Sequence, residues 1–193
     1  MKNPLIKRFP SIACCGIDCG LCPTYYTRGP SKCPGCGGPE FSSKHPSCSI
    51  LTCCVKTNSV ETCADCTQYP CEKLKSWDKA DSFVTHKVCL QNLSIIKQGG
   101  LERFIEQQTR RVKILEHLLN SFNEGRSKSL FCIAATLLPI DELRDIIMNA
   151  ERRIEEESIS SDDIKSKSKI VKEMLTHYAI NKNIELRLRK NTR

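Results

Sequence analysis

The sequence predicts a small cysteine-rich module of short hairpins and turns, stapled by metal, followed by a mainly α-helical C-terminal half. Twelve of the 14 cysteines lie between Cys14 and Cys71. That segment is rich in Pro and Gly and poor in large apolar residues, so burial alone cannot offset the entropy lost on ordering it. From about residue 77, apolar residues recur at helical spacing. We therefore divide the chain into a cysteine-rich module at 11–76, a helical bundle at 77–180 and a basic tail at 181–193.

The N-terminus favours metal binding over disulfides as the role of these cysteines. In its first 15 residues, Lys7, Arg8 and Pro10 interrupt any apolar run. A secretion signal with an apolar core of about 7 to 15 residues is therefore not expected, and no stretch approaches the ~20 apolar residues of a membrane span. We expect a cytoplasmic protein. In that reducing compartment, clustered cysteines bind metal more often than they pair with each other.

Apolar periodicity predicts five helices in the second half. The first stops at Gly99-Gly100, and the second covers LERFIEQQTRRVKILEHLLNSF and ends at Gly125. The third, SKSLFCIAATLL, is apolar on most sides, so it is expected to be buried and to end before Pro139. The fourth begins at Asp141, and the fifth follows the capping signal of SSDDIK. The closing NIELRLRK is compatible with a short strand or a frayed tail.

Three CxxC units carry the strongest chemical signal: Cys19/Cys22, Cys33/Cys36 and Cys63/Cys66. A two-residue gap lets two sulfurs converge on one ion while backbone N–H groups of the turn point at a thiolate. In the second unit Pro34 pre-sets the turn, and Gly37 permits the positive φ that completes it. Ten residues separate the first two units, which is close to the spacing of a ribbon-type tetrathiolate site.

These spacings predict two tetrathiolate sites. The first comprises Cys19, Cys22, Cys33 and Cys36. The second comprises Cys53, Cys63, Cys66 and Cys71. Cys54, the other member of the vicinal pair, could replace Cys53 in the second site, and Cys48 and Cys15 are further alternative ligands for it. An interleaved pairing of the two sites, as in cross-brace modules, stays open.

The remaining histidine and cysteine candidates are not expected to bind metal. His45 stands at H-x2-C spacing before a cysteine, but clusters of this kind mostly use thiolates, so we predict a surface histidine. Cys89 and Cys132 lie in apolar helical settings typical of buried structural thiols. Cys14 and Cys54 adjoin better candidates and are interpreted as spare thiols or a redox-sensing pair.

The cysteine spacing is compatible with either zinc or an iron–sulfur cluster. Cys15, Cys19 and Cys22 form C-x3-C-x2-C, the spacing by which radical S-adenosylmethionine enzymes hold an iron–sulfur cluster, but the strand–helix barrel that their chemistry needs does not follow. A plain 4Fe-4S cluster stays an alternative, because four thiolates suit iron–sulfur as well as zinc. The ferredoxin run C-x2-C-x2-C-x3-C-P is absent, which favours zinc.

The net charge of +8 is concentrated at one end of the chain. Residues 165–193 hold nine Lys or Arg against two Glu, and the other 164 residues hold 21 basic and 20 acidic groups. Few aromatic residues interleave with the basic ones, so a nucleic-acid partner is not expected. No phosphate loop, dinucleotide fingerprint or hydrolase elbow is present. We expect another protein as the partner.

Five motifs follow one another between Cys15 and Gln108: CGIDCGLCP, CPGC, CSILTCC, CADCTQYPCEKLK and NLSIIKQGGLERFIEQQ. They resemble an uncharacterised cysteine-rich family that is widespread in anaerobic bacteria and archaea. The resemblance that they carry covers roughly residues 13–110. The resemblance implies metal binding, with zinc as the favoured ion, and no established reaction. It also implies that ten cysteines occupy recurring positions: Cys15, Cys19, Cys22, Cys33, Cys36, Cys48, Cys53, Cys63, Cys66 and Cys71.

The sequence thus predicts a non-catalytic, cytoplasmic metal-binding protein with a structural and protein-interaction role. Closed tetrathiolate zinc sites leave no open position for water, so catalysis by the metal is not expected. The alternative is an iron–sulfur redox or cluster-carrying protein of an anaerobic pathway, with Cys15, Cys19 and Cys22 holding the cluster.

Overall fold

Short helical turns and loops form the cysteine-rich segment in the computed structural model, which describes residues 6–189. Its elements are 3-10 helices at Cys19–Leu21, Cys63–Asp65 and Glu72–Leu74, α1 at Phe41–Lys44, and α2 at Ser49–Leu51, extended by a π-helix at Thr52–Thr57. No strand occurs among residues 6–189, so the predicted hairpins are wrong, whereas the turns are present. The segment lacks alternating apolar residues, and hairpins need these to bury one face. Two of its CxxC units, Cys19/Cys22 and Cys63/Cys66, close 3-10 turns instead.

Five longer helices follow: α3 at Cys89–Gly99, α4 at Leu101–Ser121, α5 at Lys128–Leu137, α6 at Ile140–Glu156 and α7 at Ile164–Asn181. The predicted helical half is confirmed. The predicted N-terminal cap of α7 is also present, because the Asp163 side chain accepts a hydrogen bond from the Ser166 N–H at 3.0 Å. Residues 184–189 form no strand, and residues 190–193 of the predicted basic tail lie outside the described residues.

Residues 77–88, which were expected to be helical, form turns before α3. Buried Asp81 holds them, because its carboxylate accepts hydrogen bonds from the His86 N–H at 2.8 Å and from the Arg189 guanidinium at 2.8 Å. The His86 ring stacks on Trp77 with 5.1 Å between centroids, and burial lowers the pKa of His86. Side-chain hydrogen bonds to backbone groups compete with helix formation in this way.

The described chain folds into two compact units, with the division inside α4. The first holds residues 6–108 together with 188 and 189, and the second is Thr109–Arg187. In the first unit one apolar cluster includes Ile12 and Leu51 of the cysteine-rich segment and Leu93, Ile96 and Phe104 of the helices. The unit therefore continues past residue 76, because α3 and the start of α4 complete its core.

The second unit is a helical bundle around α5. Residues 131–136 of α5 are all buried, which agrees with the predicted buried helix, and Cys132 is a core residue with 1% of its surface exposed. Between α4 and α5, Glu124 accepts hydrogen bonds from Ser168 at 2.7 Å and Lys172 at 2.8 Å, both on α7. No helix within residues 6–189 has both the length and the apolar character needed to cross a membrane.

Candidate metal centre

Two of the CxxC units adopt the same turn. The Cys22 N–H donates to the Cys19 carbonyl and the Cys66 N–H to the Cys63 carbonyl, both at 3.2 Å. The chain then turns again, as a tyrosine three residues later donates to the second cysteine of each unit. The third unit differs, since the Cys36 N–H reaches the Pro10 carbonyl at 2.9 Å. Gly37 has a φ of +68°, which confirms the predicted positive φ.

The loop that carries Cys15 and Cys19 is docked tightly on α3. Gly16 has a φ of +87°, and a Cβ at this position would lie 2.2 Å from the Cys89 carbonyl oxygen. The Asn92 amide donates to the Gly16 carbonyl at 2.9 Å and to the Asp18 carboxylate at 3.0 Å. From α4, Gln108 donates to the other oxygen of Asp18 at 2.6 Å. Helix side chains therefore set the position of the first predicted ligands.

Thiols of the first predicted ligand set lie near one another and near two further cysteines. The Cys19 sulfur lies near Cys36, Cys15 and Cys22, and the Cys15 sulfur lies near Cys36 and Cys48. Burial raises the pKa of the Cys15 thiol to about 12, and the neighbouring sulfurs contribute to the rise. Burial also raises the pKa of Cys19.

Cys22 lies near Cys33 as well as near Cys19. Burial raises the pKa of Cys22, and the nearby Cys33 adds to the rise. The Cys22 sulfur lies 3.0 Å from the Thr24 hydroxyl oxygen, and the Cys33 N–H donates to the Thr24 carbonyl at 3.0 Å. Each cysteine of the first predicted set therefore lies near at least one other member of that set, with Cys15 and Cys48 close by.

A cavity of about 530 Å³ brings together all four cysteines of the second predicted set. The cysteines that line it are Cys53, Cys54, Cys63, Cys66 and Cys71. They come from the π-helix and from the turns that follow it. The Asn58 amide donates to the Cys53 sulfur at 3.4 Å.

Residues 11–76 match the model of a family described as "Protein of unknown function (DUF3795)". The match covers about a third of the chain, and we refer to these residues as the DUF3795 segment. The match confirms the resemblance to a cysteine-rich family without an established function. A search of curated proteins and a search of solved structures found no match.

The cysteines of the DUF3795 segment are, by their chemistry, suitable ligands for a thiolate-bound metal. In the described residues 6–189, no three His, Cys, Asp or Glu side chains are yet arranged around a common point that could hold an ion. The indole N–H of Trp77 is buried and makes no regular hydrogen bond. It adjoins the Cys15 sulfur and partly opposes the effect of burial on the pKa of that thiol. A thiolate accepts such a hydrogen bond much better than a thiol, because it is charged. Metal binding at Cys15 would therefore satisfy this buried donor.

Cys14 and Cys54, interpreted above as spare thiols or a redox-sensing pair, are buried next to each other in the DUF3795 segment. They are 1% and 3% exposed, and their thiols donate hydrogen bonds to the carbonyls of Glu61 at 3.7 Å and Val60 at 3.2 Å, respectively. The bond with Cys36 lowers the pKa of Cys14, but the bond with Cys54 and burial outweigh it, so this pKa lies well above its ordinary value. Buried neutral thiols are poor redox sensors, since the thiolate is the reactive form.

An internal repeat is the sequence signal that could have drawn attention to this pair. A vicinal cysteine pair precedes a C-x2-C-x2-Y unit twice, as CCGIDCGLCPTY and as CCVKTNSVETCADCTQY. The two units share the turn described above, although three residues separate the vicinal pair from its unit in the first copy and eight in the second. Cys14 and Cys54 each belong to one of these vicinal pairs.

Cys89 and His45, for which a structural role was predicted, pack against neighbouring groups. Cys89 begins α3, is fully buried, and has its pKa raised by burial and by the nearby Cys15. His45 stacks on Phe41 with 4.5 Å between ring centroids. Its Nδ1 lies 2.9 Å from the Pro46 carbonyl.

Proposed function

We propose that this protein binds metal through the thiolates of its DUF3795 segment, with zinc as the ion, and that the metal is structural. The observation that carries the proposal is the single cavity lined by five cysteines. Thiolates are the ligands of structural zinc sites, and such sites supply folding free energy to segments with small cores. The ligands from the sequence remain those proposed: Cys15, Cys19, Cys22, Cys33, Cys36, Cys48, Cys53, Cys63, Cys66 and Cys71.

Proton release accompanies binding in this proposal. Burial raises the pKa of Cys15 to about 12 and raises that of Cys22, so both are thiols at neutral pH when no metal is bound. A metal ligand must be the thiolate, so binding displaces these protons and the apparent affinity rises with pH. The N–H groups of Trp77 and Asn58 then stabilise the thiolates of Cys15 and Cys53.

We further propose that the helical unit contacts a partner protein. Support comes from an open groove of about 810 Å³ that α6 and α7 line. Ile180 of α7 lines this groove and is 67% exposed. An exposed apolar side chain inside a groove favours a binding surface.

An iron–sulfur cluster is the second candidate function, because Cys19 has three cysteine neighbours. The sulfurs of Cys36, Cys15 and Cys22 all lie near it, and short-spaced thiolates suit a cluster as well as zinc. In this alternative the protein carries electrons or clusters for an anaerobic pathway. Visible absorption with iron and sulfide in equal amounts would support it.

A pair of cysteine variants tests metal binding. Cys66→Ser removes a thiol that lines the cavity and should lower the metal content by about one ion per chain. Cys132→Ser removes a buried thiol of the second unit and should leave the metal content unchanged. Elemental analysis of both anaerobically purified full chains gives the answer. An unchanged metal content in Cys66→Ser would contradict the proposed cavity site.

A further inference from the structure

We propose that the cysteine-lined cavity is an exchange site, which takes up a zinc ion and releases it to an external thiol ligand. Its own ligands are Cys53, Cys63, Cys66 and Cys71, which all line the cavity. The ion stabilises the cavity walls while it is bound, and exchange is its additional property. The inference rests on the proposed function, because it assumes that the chain binds zinc.

The cavity is larger than a single ion needs. Its volume is about 530 Å³, and volumes of about 300 to 1,000 Å³ are typical of sites for small-molecule ligands. Zinc in proteins takes four ligands. No three ligating side chains of residues 6–189 surround a common point, so an external thiol has both the space and an open position on the ion.

Exchange at such a site is a simple ligand replacement. Each zinc–sulfur bond to the external ligand replaces one bond to a cysteine of the cavity. The incoming thiol gives up its proton, and the cysteine thiolate that leaves the ion takes up a proton. No electron is transferred, so the step needs no oxidant or reductant.

The cavity extends from the apolar core to the protein surface. Two of its lining residues, Ile50 and Leu74, belong to the core and are 4% and 2% exposed. The four candidate ligands are only half-buried. The polar residues that line the cavity are exposed, and these are Asn58, Gln68, Glu72 and Lys73. An external ligand therefore has a path from solvent to the thiols.

One wall of the cavity is a π-helix, Thr52–Thr57. The Asn58 N–H donates to the carbonyl of Cys53, five residues earlier, at 3.0 Å. π-helices are rare in proteins and are frequent at functional sites. The neighbouring Cys54 donates its thiol hydrogen to the Val60 carbonyl at 3.2 Å, so it is not counted among the ligands. The other four cysteines of the lining are those of the second predicted set.

The first predicted site gives an external ligand much less access. Cys15, Cys22 and Cys36 are 5%, 4% and 7% exposed. The loop that carries Cys15 is fixed on α3, where a Cβ at Gly16 would lie 2.2 Å from the Cys89 carbonyl oxygen. The shell around a metal site controls access to it. An ion held at the first site therefore leaves only when this loop opens, and its exchange is slower than that of the ion in the cavity.

Zinc transfer to the chromophoric chelator pyridylazoresorcinol tests the inference on the full chain. We expect about one zinc ion per chain to leave rapidly, and the remaining zinc to leave at least about a hundredfold more slowly, because its release needs local unfolding. Reduced glutathione, a small external thiol, should accelerate the fast phase and not the slow one. Cys66→Ser/Cys71→Ser should lose the fast phase, while Cys132→Ser should keep both phases.

Alkylation by iodoacetamide at the end of the fast phase identifies the cysteines that have released their ion. We expect label on Cys63, Cys66 and Cys71, with Cys15 and Cys22 protected. A single rate for all the zinc, or earlier labelling of Cys15 and Cys22, would overturn the exchange site and leave metal binding intact. A chain that binds no zinc would overturn both. The labelling is measured on the wild-type chain, so it does not depend on the folding of a variant.

Discussion

Asn92 on α3 provides a sharp test of how the helices hold the cysteine loop. Its amide is buried and donates to the Gly16 carbonyl and to the Asp18 carboxylate, at 2.9 and 3.0 Å. Asn92→Ala removes both hydrogen bonds and leaves the Gly16 carbonyl without this donor. Asp18 keeps the hydrogen bond from Gln108, so its carboxylate loses only part of its support.

The expected cost follows from the two lost bonds. A hydrogen bond between neutral groups contributes about 1 kcal/mol, and one to a charged group contributes about 1.5 to 3 kcal/mol. We therefore expect Asn92→Ala to lower the free energy of unfolding of the first unit by about 3 kcal/mol. Gln91→Ala is the matched control, because Gln91 precedes Asn92 on α3 but is exposed. It should change stability by less than about 0.5 kcal/mol.

The single tryptophan makes the measurement specific to the first unit. Trp77 is the only tryptophan of the chain and packs against the core of the cysteine-rich segment. Its fluorescence therefore follows unfolding of this unit in a denaturant titration at one fixed metal concentration. If Asn92→Ala and Gln91→Ala unfold at the same denaturant concentration, these hydrogen bonds do not hold the loop as described.

Two further changes test the first unit. Gly16→Ala should destabilise it by more than about 2 kcal/mol in the same titration, because the left-handed backbone costs about 1 to 2 kcal/mol and the Cβ would clash with a backbone oxygen at 2.2 Å; a cost under 1 kcal/mol would contradict this. Asp81 is buried, which raises its pKa, but the hydrogen bonds from Arg189 and His86 outweigh this and bring it to about 2. A carboxylate with a lowered pKa stabilises the fold above its ordinary pKa, and that stability is lost as the pH falls towards 2. Arg189→Met should therefore lower the free energy of unfolding by about 2 kcal/mol at pH 7 and by much less near pH 2. Arg187, whose side chain is 80% exposed, provides the control, and Arg187→Met should change this free energy little at either pH. An equal loss of stability in both variants at pH 7 would refute the Asp81 pairing.

The helical half could be predicted from the sequence because its signals are local. Apolar spacing, the Asp163 cap and Gly99-Gly100 each act within a few residues, and the structure confirms these helices. The turns of residues 77–88 could not be predicted in the same way. They depend on Asp81 meeting Arg189, which lies 108 residues away in the chain.

The sequence also does not predict which distant cysteines lie near one another. The CxxC spacing correctly indicated that Cys63 and Cys66 lie together, since one 3-10 turn joins them. Which distant thiols meet is decided by packing, and the spacing does not contain that information. Cys48 approaches Cys15, and Cys14 meets Cys54, because α3 and the surrounding loops share one core.

Metal analysis of the anaerobically purified full chain, together with its absorption spectrum, is the most direct test of structural zinc binding by the cysteine thiolates. We expect a colourless protein that contains at least two zinc ions per chain. A chelator should remove these ions, and the Trp77 fluorescence should then report unfolding of the first unit. A brown protein with iron and sulfide would establish the iron–sulfur alternative. A folded chain without any metal would contradict the account.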